Sequence, residues 1–351
     1  MNPTLFVCGD LHNLGDLALL LQNLEFVRGD GRKALVRRWQ PLPSSIVDQV
    51  TRAGGQLFDG RSIAATVKAA LRADMVVGGG QLVRANISGR SLAMLVLTAF
   101  VVRMTGGRVT CRGLGVSCIT APFSRLLWRL LFAMADRIAV RDTASEANIQ
   151  TLAPLAKVML TADMAFLNTD LHKRLATTDQ KSGVVIAPCL DGSEGRSMEG
   201  SAIVQITKSV MARLHQDSVT FACHDARPTM DRLAAQRIAR LMPDVEVQIE
   251  DGLSLDRLLD TYSGAALVIT NRLHATIFSV LSNTPVIVIN DGTNKISAVS
   301  RVFDVPVVDS NKTLTRSEAD NIVCRAIAFN YGYRQAQRGI VADLATRNIM
   351  A

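Results

Sequence analysis

The sequence predicts an α/β protein made of two Rossmann-like domains that face each other across a cleft. Short β-type runs alternate with helical runs along most of the chain, an order typical of parallel sheets covered by helices. The alternation is interrupted once by a polar stretch and then starts again. With 351 residues, of which 48% are hydrophobic and 20% charged, the chain is long and apolar enough to fill two separate cores.

The first predicted domain covers residues 1–168. Its strands are short apolar runs, and the helices between them repeat apolar residues at helical spacing. The predicted strands are Thr4–Cys8, Met75–Val77, Arg108–Cys111 and Arg137–Val140. The predicted helices are Asp16–Phe26, Ile63–Leu71 and Arg125–Ala135.

The second half repeats the pattern after a polar linker, residues 169–182. The second domain covers residues 183–330, and a helical tail, residues 331–351, ends the chain. Its predicted strands are Val184–Ala187, Val219–Cys223, Ala265–Thr270 and Val286–Asn290. Its predicted helices are Ala202–Leu214, Thr229–Leu241, Leu253–Tyr262, with Ser254 as N-cap, and His274–Leu281. Ligands of such sheets bind beyond the carboxyl ends of the strands, so the cleft is the expected site.

The charge balance indicates an anionic partner. Lysine and arginine outnumber aspartate and glutamate by 39 to 31, which gives a net charge of +8. This excess favours anionic substrates or the anionic lipid of a membrane surface. Nucleic acid is not expected as a partner, because aromatic residues make up only 5% of the chain and no nucleic-acid motif is present.

Cysteine usage and hydropathy predict a cytoplasmic protein. The six cysteines form no C-x-x-C pair, which argues against structural zinc and for reduced thiols. The chain starts without a basic leader, and its longest apolar run, Leu92–Val102, is too short to span a bilayer. We therefore expect at most peripheral contact with the inner membrane. For the apolar segment Pro122–Ala135 we favour a core-facing helix with a basic edge over a membrane-surface helix.

Two glycine-containing loops follow strands of the first domain. The loop from Gly9 to Asp16 opens a helix, whose N-terminus can bind an anion or a hydroxyl, although Asp16 could simply favour the helix dipole. The turn Gly78–Gly80 follows Met75–Val77 and points toward the expected cleft, although a tight turn without a ligand would look the same. It does not match G-x-G-x-x-G, because Val83 replaces the last glycine, so a dinucleotide is not expected.

Arg141 ends the strand Arg137–Val140, and Asp142 or Thr143 can cap the next helix. An arginine in this position can bind a carboxylate or a phosphate through two parallel hydrogen bonds. The alternative is a salt bridge between the domains.

The most informative segment is Thr270–His274, between a very hydrophobic strand and a helix. Arg272 and His274 flank Leu273, and alternation in an extended backbone places them on one side. Arginine stays charged, and histidine titrates near neutral pH and can donate a proton, so the pair suits an acidic substrate that must be protonated. His224 and Lys295, which follow other strands of the second domain, are further candidates for binding.

Taken in order, these pieces resemble the polysaccharide pyruvyltransferase family over roughly residues 5 to 300. The sequence departs from the family in a longer, more polar first loop containing His12, and in Gln81 after the three glycines. The matching pieces are Asn13-Leu14-Gly15-Asp16, Asp74-Met75-Val76-Val77-Gly78-Gly79-Gly80, Arg141-Asp142-Thr143-Ala144-Ser145, Ala162-Asp163-Met164-Ala165-Phe166 and Arg272-Leu273-His274-Ala275-Thr276-Ile277-Phe278, with Pro285 and Lys295 behind them.

The resemblance implies a fold like that of GT-B glycosyltransferases and transfer of a pyruvyl ketal from phosphoenolpyruvate to a sugar, which can be a lipid-linked oligosaccharide. It implies that Arg272 and His274 bind and protonate the donor and that Arg141 also binds it. The expected mechanism makes Asp16 the base that orients the acceptor. The expected binding residues are Arg272, Leu273, Arg141, Lys295, Asn13, Gly79, Gly80 and His224. The chemistry requires no metal or cofactor, and no D-x-D motif is present.

Two other classes of function stay open at this point. One is a GT-B glycosyltransferase that uses a nucleotide sugar, with Glu250 or Asp251 binding the ribose. The other is a non-catalytic partner in a polysaccharide-synthesis complex, against which the presence of both Arg272 and His274 argues. The sequence does not determine the accepting sugar or the oligomeric state.

Overall fold

The structure is a computed structural model that describes residues 2–167, 181–190, 201–225, 227–252, 254–290, 295–328 and 331–349. It contains two separate parallel sheets covered by helices, which confirms the predicted α/β class. The chain divides into two compact units. Unit 1 comprises Met1–His12, Asp16–Leu167 and Val341–Ala351, and unit 2 comprises Asn13–Gly15 and Asn168–Ile340.

Unit 1 is built on a seven-stranded sheet with the order β3-β2-β1-β4-β5-β6-β7. Its inner strands are continuous apolar runs because helices cover both faces of a parallel sheet. The strands are β1 (Thr4–Val7), β2 (Ala34–Arg38), β3 (Gly55–Asp59), β4 (Asp74–Gly78), β5 (Val109–Leu114), β6 (Arg137–Val140) and β7 (Val158–Leu160). The helices are α1 (Leu14–Gly29), α2 (Ser44–Arg52), α3 (Ile63–Ala70), α4 (Gly89–Met104), α5 (Pro122–Met134) and α6 (Thr143–Leu152), followed by the 3₁₀ helix Met164–Leu167.

Unit 2 is built on a six-stranded sheet with the order β10-β9-β8-β11-β12-β13. The strands are β8 (Val184–Ala187), β9 (Ser218–Ala222), β10 (Glu246–Glu250), β11 (Leu267–Thr270), β12 (Val286–Asn290) and β13 (Val307–Asp309). The helices are α7 (Ser201–Leu214), α8 (Asp231–Arg240), α9 (Leu255–Gly264), α10 (Leu273–Leu281), α11 (Lys295–Val302), α12 (Arg316–Ile327) and α13 (Tyr331–Thr346). As expected, Ser254 caps α9, accepting a hydrogen bond from the Arg257 amide at 3.2 Å.

Each sheet has a point where the strand order reverses. β1 lies between β2 and β4, with Leu5 beside both Leu35 and Met75. β8 lies between β9 and β11 in the same way. At such a point the loops after neighbouring strands diverge and leave a crevice that binds ligands. The loops after β1 and β4 in unit 1, and those after β8 and β11 in unit 2, are therefore the places to look for a site.

The strands that the sequence analysis omitted are polar or lie near sheet edges. β2 ends in Arg37 and Arg38, β3 contains few apolar residues, and β10 alternates polar with apolar residues at the edge of its sheet. Short edge strands such as β7 and β13 are only partly buried, and their sequences are too short to show a clear hydrophobic periodicity.

The C-terminal segment is not a separate tail. α13 is assigned to unit 2 up to Ile340, and the residues from Val341 belong to unit 1. In unit 2 the buried Arg338 donates to the Leu281 carbonyl at 3.1 Å. In unit 1 the Asn348 side chain accepts a 2.8 Å hydrogen bond from the Gly113 amide. The units change between Leu167 and Asn168 and again between Ile340 and Val341, and most of the predicted linker lies outside the described residues.

None of the described helices has both the length and the apolar character required to cross a membrane.

Candidate active site

Arg272 lies at the carboxyl end of β11, where an extended backbone leads into α10. Its side chain is buried, and its Nε donates to the Pro188 carbonyl at 3.0 Å, while Nη2 donates to the Asp231 carboxylate. Burial alone would lower the pKa of Arg272, but the charge of Asp231 raises it above its usual value. Arg272 is therefore a fixed positive charge at the reversal point of unit 2.

Asp231 is the residue that the sequence analysis missed. It is the first residue of α8, and its Oδ2 accepts hydrogen bonds from the His224 and Asp225 amides at 2.8 and 3.0 Å. Its Oδ1 accepts from Arg272. One carboxylate thus ties the loop after β9 to the arginine after β11. An acidic residue in the first turn of a helix was visible in the sequence, but its charged partner, Arg272, is 41 residues away in the chain.

His274 lies in the first turn of α10, directly after Leu273, which begins the helix. Its ring is buried and stacks on Phe278 with the ring centroids 6.2 Å apart. Gly15 packs against it so closely that a Cβ at that position would lie 2.0 Å from His274 Nδ1. The glycine of the Asn13–Asp16 piece is therefore needed to accommodate the histidine.

His224 is enclosed by side chains of unit 2. Its Nε2 is 2.5 Å from the Tyr262 hydroxyl, and its ring stacks on Phe278 at 6.4 Å. Burial, together with the positive charge of Arg272, lowers the pKa of His224 well below its usual value, so the ring is neutral. Its carbonyl accepts a 2.9 Å hydrogen bond from the Leu14 amide. This environment gives His224 a packing role behind Arg272 and His274.

Asn13 and Lys295 are the other predicted residues of unit 2, and the structure describes the side chain of Asn13. Asn13 forms an antiparallel bridge with Asp225, and its Oδ1 accepts from the Gly15 amide at 3.1 Å. These contacts fix the turn that brings Gly15 to His274. Lys295 is the first residue of α11, but its side chain lies outside the described part of the structure.

In unit 1, Asp16 is enclosed by glycine backbone. A Cβ at Gly9 would lie 2.5 Å from Asp16 Oδ2, and a Cβ at Gly80 would lie 2.1 Å from Oδ1. Oδ2 also accepts a hydrogen bond from the Asp10 amide at 3.0 Å. Burial, and then the charge of Asp10, raise the pKa of Asp16 to about 7. A carboxylate with this pKa can take up a proton near neutral pH.

The three-glycine turn has a structural reason beyond a tight bend. Gly79 and Gly80 have φ angles of +84° and +71°, a region that residues with a side chain rarely adopt. Gly80 must also lack a side chain because Asp16 occupies that space. Asp16 and Gly80, which are far apart in the sequence, therefore meet at the same end of the unit 1 sheet.

Arg141 is buried in unit 1 and makes ion pairs there. Its Nη1 donates to Asp163 at 3.0 Å, its Nη2 donates to Gln81 Oε1 at 3.0 Å, and its Nε lies 3.4 Å from Asp142. The Arg141 and Asp163 pieces of the sequence thus meet in one ion pair. Asp142, rather than Thr143, is the N-cap of α6.

A cavity of about 670 Å³ opens in unit 1 beside Asp16. It lies at the reversal point, where β1 and β4 end, and the first turns of α4 form part of its wall. Its charged and polar lining residues include Asp10, His12, Asp16, Arg37, Arg38, Arg61, Gln81, Arg84 and Arg90. A cavity with these hydrogen-bonding groups and the aromatic ring of Trp39 suits a saccharide.

The described residues contain no group of three or more His, Cys, Asp or Glu side chains arranged to hold a metal ion.

A family model described as polysaccharide pyruvyl transferase matches residues 13–292 of the chain. This stretch contains Asp16, Gly80, Arg141, Asp231, Arg272 and His274, and it begins after Gly9 and Asp10. No curated protein matches the chain by sequence.

Solved structures share the fold at low sequence identity. A glycosyltransferase from Rickettsia africae is 13% identical, with a TM-score of 0.62, covering 99% of this chain and 96% of that one. The UDP-GlcNAc 2-epimerase from Neisseria meningitidis bound to UDP-GlcNAc is 15% identical, with a TM-score of 0.60 and coverages of 98% and 97%. The UDP-GlcNAc 2-epimerase from Methanocaldococcus jannaschii, in complex with UDP-GlcNAc and UDP, is 11% identical, with a TM-score of 0.58 and coverages of 98% and 99%. These neighbours show a GT-B fold.

Proposed function

Because the chain belongs to the polysaccharide pyruvyl transferase family, we propose that it transfers a pyruvyl group from phosphoenolpyruvate to two hydroxyls of a sugar. The product is a cyclic ketal on a precursor of an exopolysaccharide or a cell-surface glycan. The observation that carries the proposal is the pairing of a fixed cation, Arg272, with a buried histidine, His274, at one reversal point. This pairing suits an enol phosphate that must be held and then protonated.

The donor reaction follows from the chemistry of these two side chains. Arg272 binds an anionic group of phosphoenolpyruvate, and Arg141 and Lys295 are further candidates for its carboxylate and phosphate. His274, as imidazolium, donates its proton to the methylene carbon, which leaves an oxocarbenium-like carbon next to the carboxylate. Leu273 and His224 shape the donor site. Phosphoenolpyruvate acts as a co-substrate, and we propose no metal or further cofactor.

The acceptor reaction completes the ketal. The first sugar hydroxyl adds to the oxocarbenium-like carbon and loses its proton to Asp16. The bond from that carbon to the phosphate oxygen then breaks, and the leaving phosphate takes up the proton held by Asp16 and departs as inorganic phosphate. The second hydroxyl adds to the carbon and returns a proton to His274. Gly79 and Gly80 support the acceptor side, since Gly80 leaves room for Asp16, and Asn13 supports the donor side, since it positions Gly15 beside His274.

The test is single-turnover transfer from phosphoenolpyruvate by His274→Gln. We expect the variant to bind donor nearly as well as the wild type but to lose about 10²–10⁴-fold in turnover, the range for a removed general acid. Arg272→Ala should instead weaken donor binding measured by calorimetry. His215→Asn, a change at an exposed histidine, is the control. A folded His274→Gln variant with wild-type turnover would contradict the mechanism.

The competing function is glycosyl transfer from a nucleotide sugar, which the fold of the neighbours accommodates. The two carboxylates considered for the ribose already have partners in unit 2. Glu250 accepts from Thr261 at 3.2 Å, and Asp251 pairs with Arg232 at 2.8 Å. Binding of UDP-GlcNAc without binding of phosphoenolpyruvate would favour this function over ours.

The reaction is proposed to take place at the cytoplasmic face of the inner membrane, on a lipid-linked acceptor. Support comes from α4 and α5, which pack side by side and each expose a stripe of large apolar residues. The stripes, called here the α4–α5 face, are Leu97, Phe100 and Met104 of α4 and Phe123, Leu126 and Leu130 of α5. Residues 75–135 include seven arginines and no acidic residue. Exposed apolar residues among arginines suit an anionic lipid surface.

A further inference from the structure

Arg37 is a buried arginine that the proposed reaction does not use. It lies near the end of β2, and only 1% of the residue is exposed. Its Nη2 donates to the Gly60 carbonyl at 3.0 Å, and its guanidinium carbon lies 3.7 Å from the centre of the Trp39 ring. Gly60 accommodates it, because a Cβ there would lie 2.5 Å from the arginine side chain. The side chain is thus held in one place by a carbonyl and an aromatic face.

The remaining donors of this guanidinium are unused. Nε and Nη1 of Arg37 are buried, and neither has a hydrogen-bond partner among the described residues. Among the same described residues, no carboxylate lies within salt-bridge distance of Arg37. Burial lowers the pKa of Arg37 to about 10, so the group stays charged at neutral pH. A buried charge without a counterion is costly, and an anion that enters from outside removes much of that cost.

The place where such an anion can enter is the unit 1 cavity. Arg37, Trp39 and Gly60 line it, and so does Asp16, the proposed acceptor base. Arg84 and Arg90 add positive charge to the same wall. The cavity therefore offers two kinds of contact: a carboxylate that can accept a proton from a hydroxyl, and a buried guanidinium with two nitrogens that have no partner among the described residues.

We propose that the unit 1 cavity binds an acceptor that carries an anionic group, a phosphate, diphosphate or carboxylate, and that Arg37 holds this group. The inference rests on the proposed function, since it assigns the cavity to the acceptor. The guanidinium of Arg37 can give a charge-assisted hydrogen bond from Nη1 to an oxygen of a phosphate or carboxylate, and such bonds are shorter and stronger than those between neutral groups. The sugar hydroxyls then lie toward Asp16, and the anionic group sets which end of the saccharide enters the cavity.

Trp39 provides a local probe of this site. The chain has two tryptophans, and the second, Trp128, is fully buried and does not line the cavity. We expect inorganic pyrophosphate and glucose 1-phosphate to change the Trp39 emission and to raise the melting temperature. Methyl glucoside, which has no charge, should do neither at the same concentration. Glucuronate tests whether the site binds a carboxylate. Comparing the affinities for pyrophosphate and glucose 1-phosphate shows whether the site prefers a diphosphate or a monophosphate.

Three variants assign the response to Arg37. Arg37→Met should lower the affinity for pyrophosphate at least 10-fold, and Arg37→Lys should lower it less, because lysine keeps the charge but loses the guanidinium donors. Trp39→Phe should lose the fluorescence response. Arg52→Met, a change at an exposed arginine of α2 outside the cavity, is the matched control.

Removal of the unpaired charge also predicts that Arg37→Met melts higher than the wild type when no anion is present. Arg272→Ala should weaken the binding of phosphoenolpyruvate but leave the Trp39 response to pyrophosphate unchanged, so failure of the anion site and failure of the donor chemistry are distinguishable. The proposal is overturned if no anion perturbs wild-type Trp39, if methyl glucoside is as effective as glucose 1-phosphate, or if Arg37→Met binds pyrophosphate like the wild type.

Discussion

Asp16 illustrates how one side chain can serve chemistry at the expense of stability. Its pKa is raised by burial and by Asp10 to about 7, against an ordinary value of 3.8. In a group of this kind the folded state holds the proton more tightly than the unfolded state does. The contribution of Asp16 to the free energy of unfolding is therefore complete below about pH 4 and is lost as the pH rises through 7.

We therefore predict opposite effects of Asp16→Asn on activity and stability. The variant should melt higher than the wild type at pH 8, where wild-type Asp16 is ionised, and the difference should shrink at pH 5. Transfer activity should fall at least 100-fold, because the amide cannot accept the hydroxyl proton. In the wild type, activity should rise as the pH increases through about 7 on the acidic side of the profile. Asp48→Asn, at an exposed site of α2, is the control for both measurements.

Gly15 provides a second prediction at the residue scale. Because a Cβ there would lie 2.0 Å from His274 Nδ1, Gly15→Ala must displace the histidine ring. A displacement of about 1 Å can reduce the rate by about 10². Turnover should fall by about that factor.

Gly29→Ala is the matched control for this change. It alters the same helix at a position with open space around it, and it should leave turnover unchanged. Wild-type turnover in Gly15→Ala would show that the position of the His274 ring is not critical for the reaction.

At the scale of elements, α4 and α5 each have two apolar sides. α5 buries Leu127, Trp128 and Leu131 in the core of unit 1, as expected for a core-facing helix. The opposite side exposes Phe123, Leu126 and Leu130 instead of polar residues. Arg125 and Arg129 each donate to backbone carbonyls of unit 1, to Ile119 at 3.1 Å and to Leu152 at 2.7 Å.

The α4–α5 face predicts binding to anionic vesicles. The wild type should sediment with phosphatidylglycerol vesicles, much less with phosphatidylcholine vesicles, and less in high salt, because exposed charges are screened within about 8 Å at physiological ionic strength. Phe100→Asp combined with Phe123→Asp should reduce binding at least 10-fold. Ile340→Asp, at an equally exposed apolar residue of unit 2, should not change it. Equal binding to both lipids would contradict an anionic membrane surface as the partner.

At the scale of the molecule, the last residues of the chain complete the core of unit 1. The Asn348 side chain accepts from the Gly113 amide at 2.8 Å and from the Thr161 hydroxyl at 2.9 Å, and it donates to the Ala162 carbonyl at 2.9 Å. All three partners belong to unit 1.

Asn348→Ala should therefore destabilise unit 1. The change leaves a buried amide without a partner, at a cost of about 1–3 kcal/mol. Thermal unfolding should show a lower midpoint. Thr346→Ala, which loses only a hydrogen bond within α13, is the control. An unchanged midpoint for Asn348→Ala would mean that the end of the chain contributes nothing to unit 1.

The sequence by itself determined the α/β class, most strands of the two sheets and the segments that contain the candidate site. These follow from local patterns: continuous apolar runs mark buried parallel strands, and glycines, Arg272 and His274 mark the loops after them. Only the tertiary structure showed that Asp231 holds Arg272, that Gly15 makes room for His274, and that Gly80 lies against Asp16. It also identified Arg37 as a buried, unpaired cation in a strand that the pattern did not predict. These facts depend on which strand ends are neighbours in a sheet, and that order is set by long-range packing that no local pattern records.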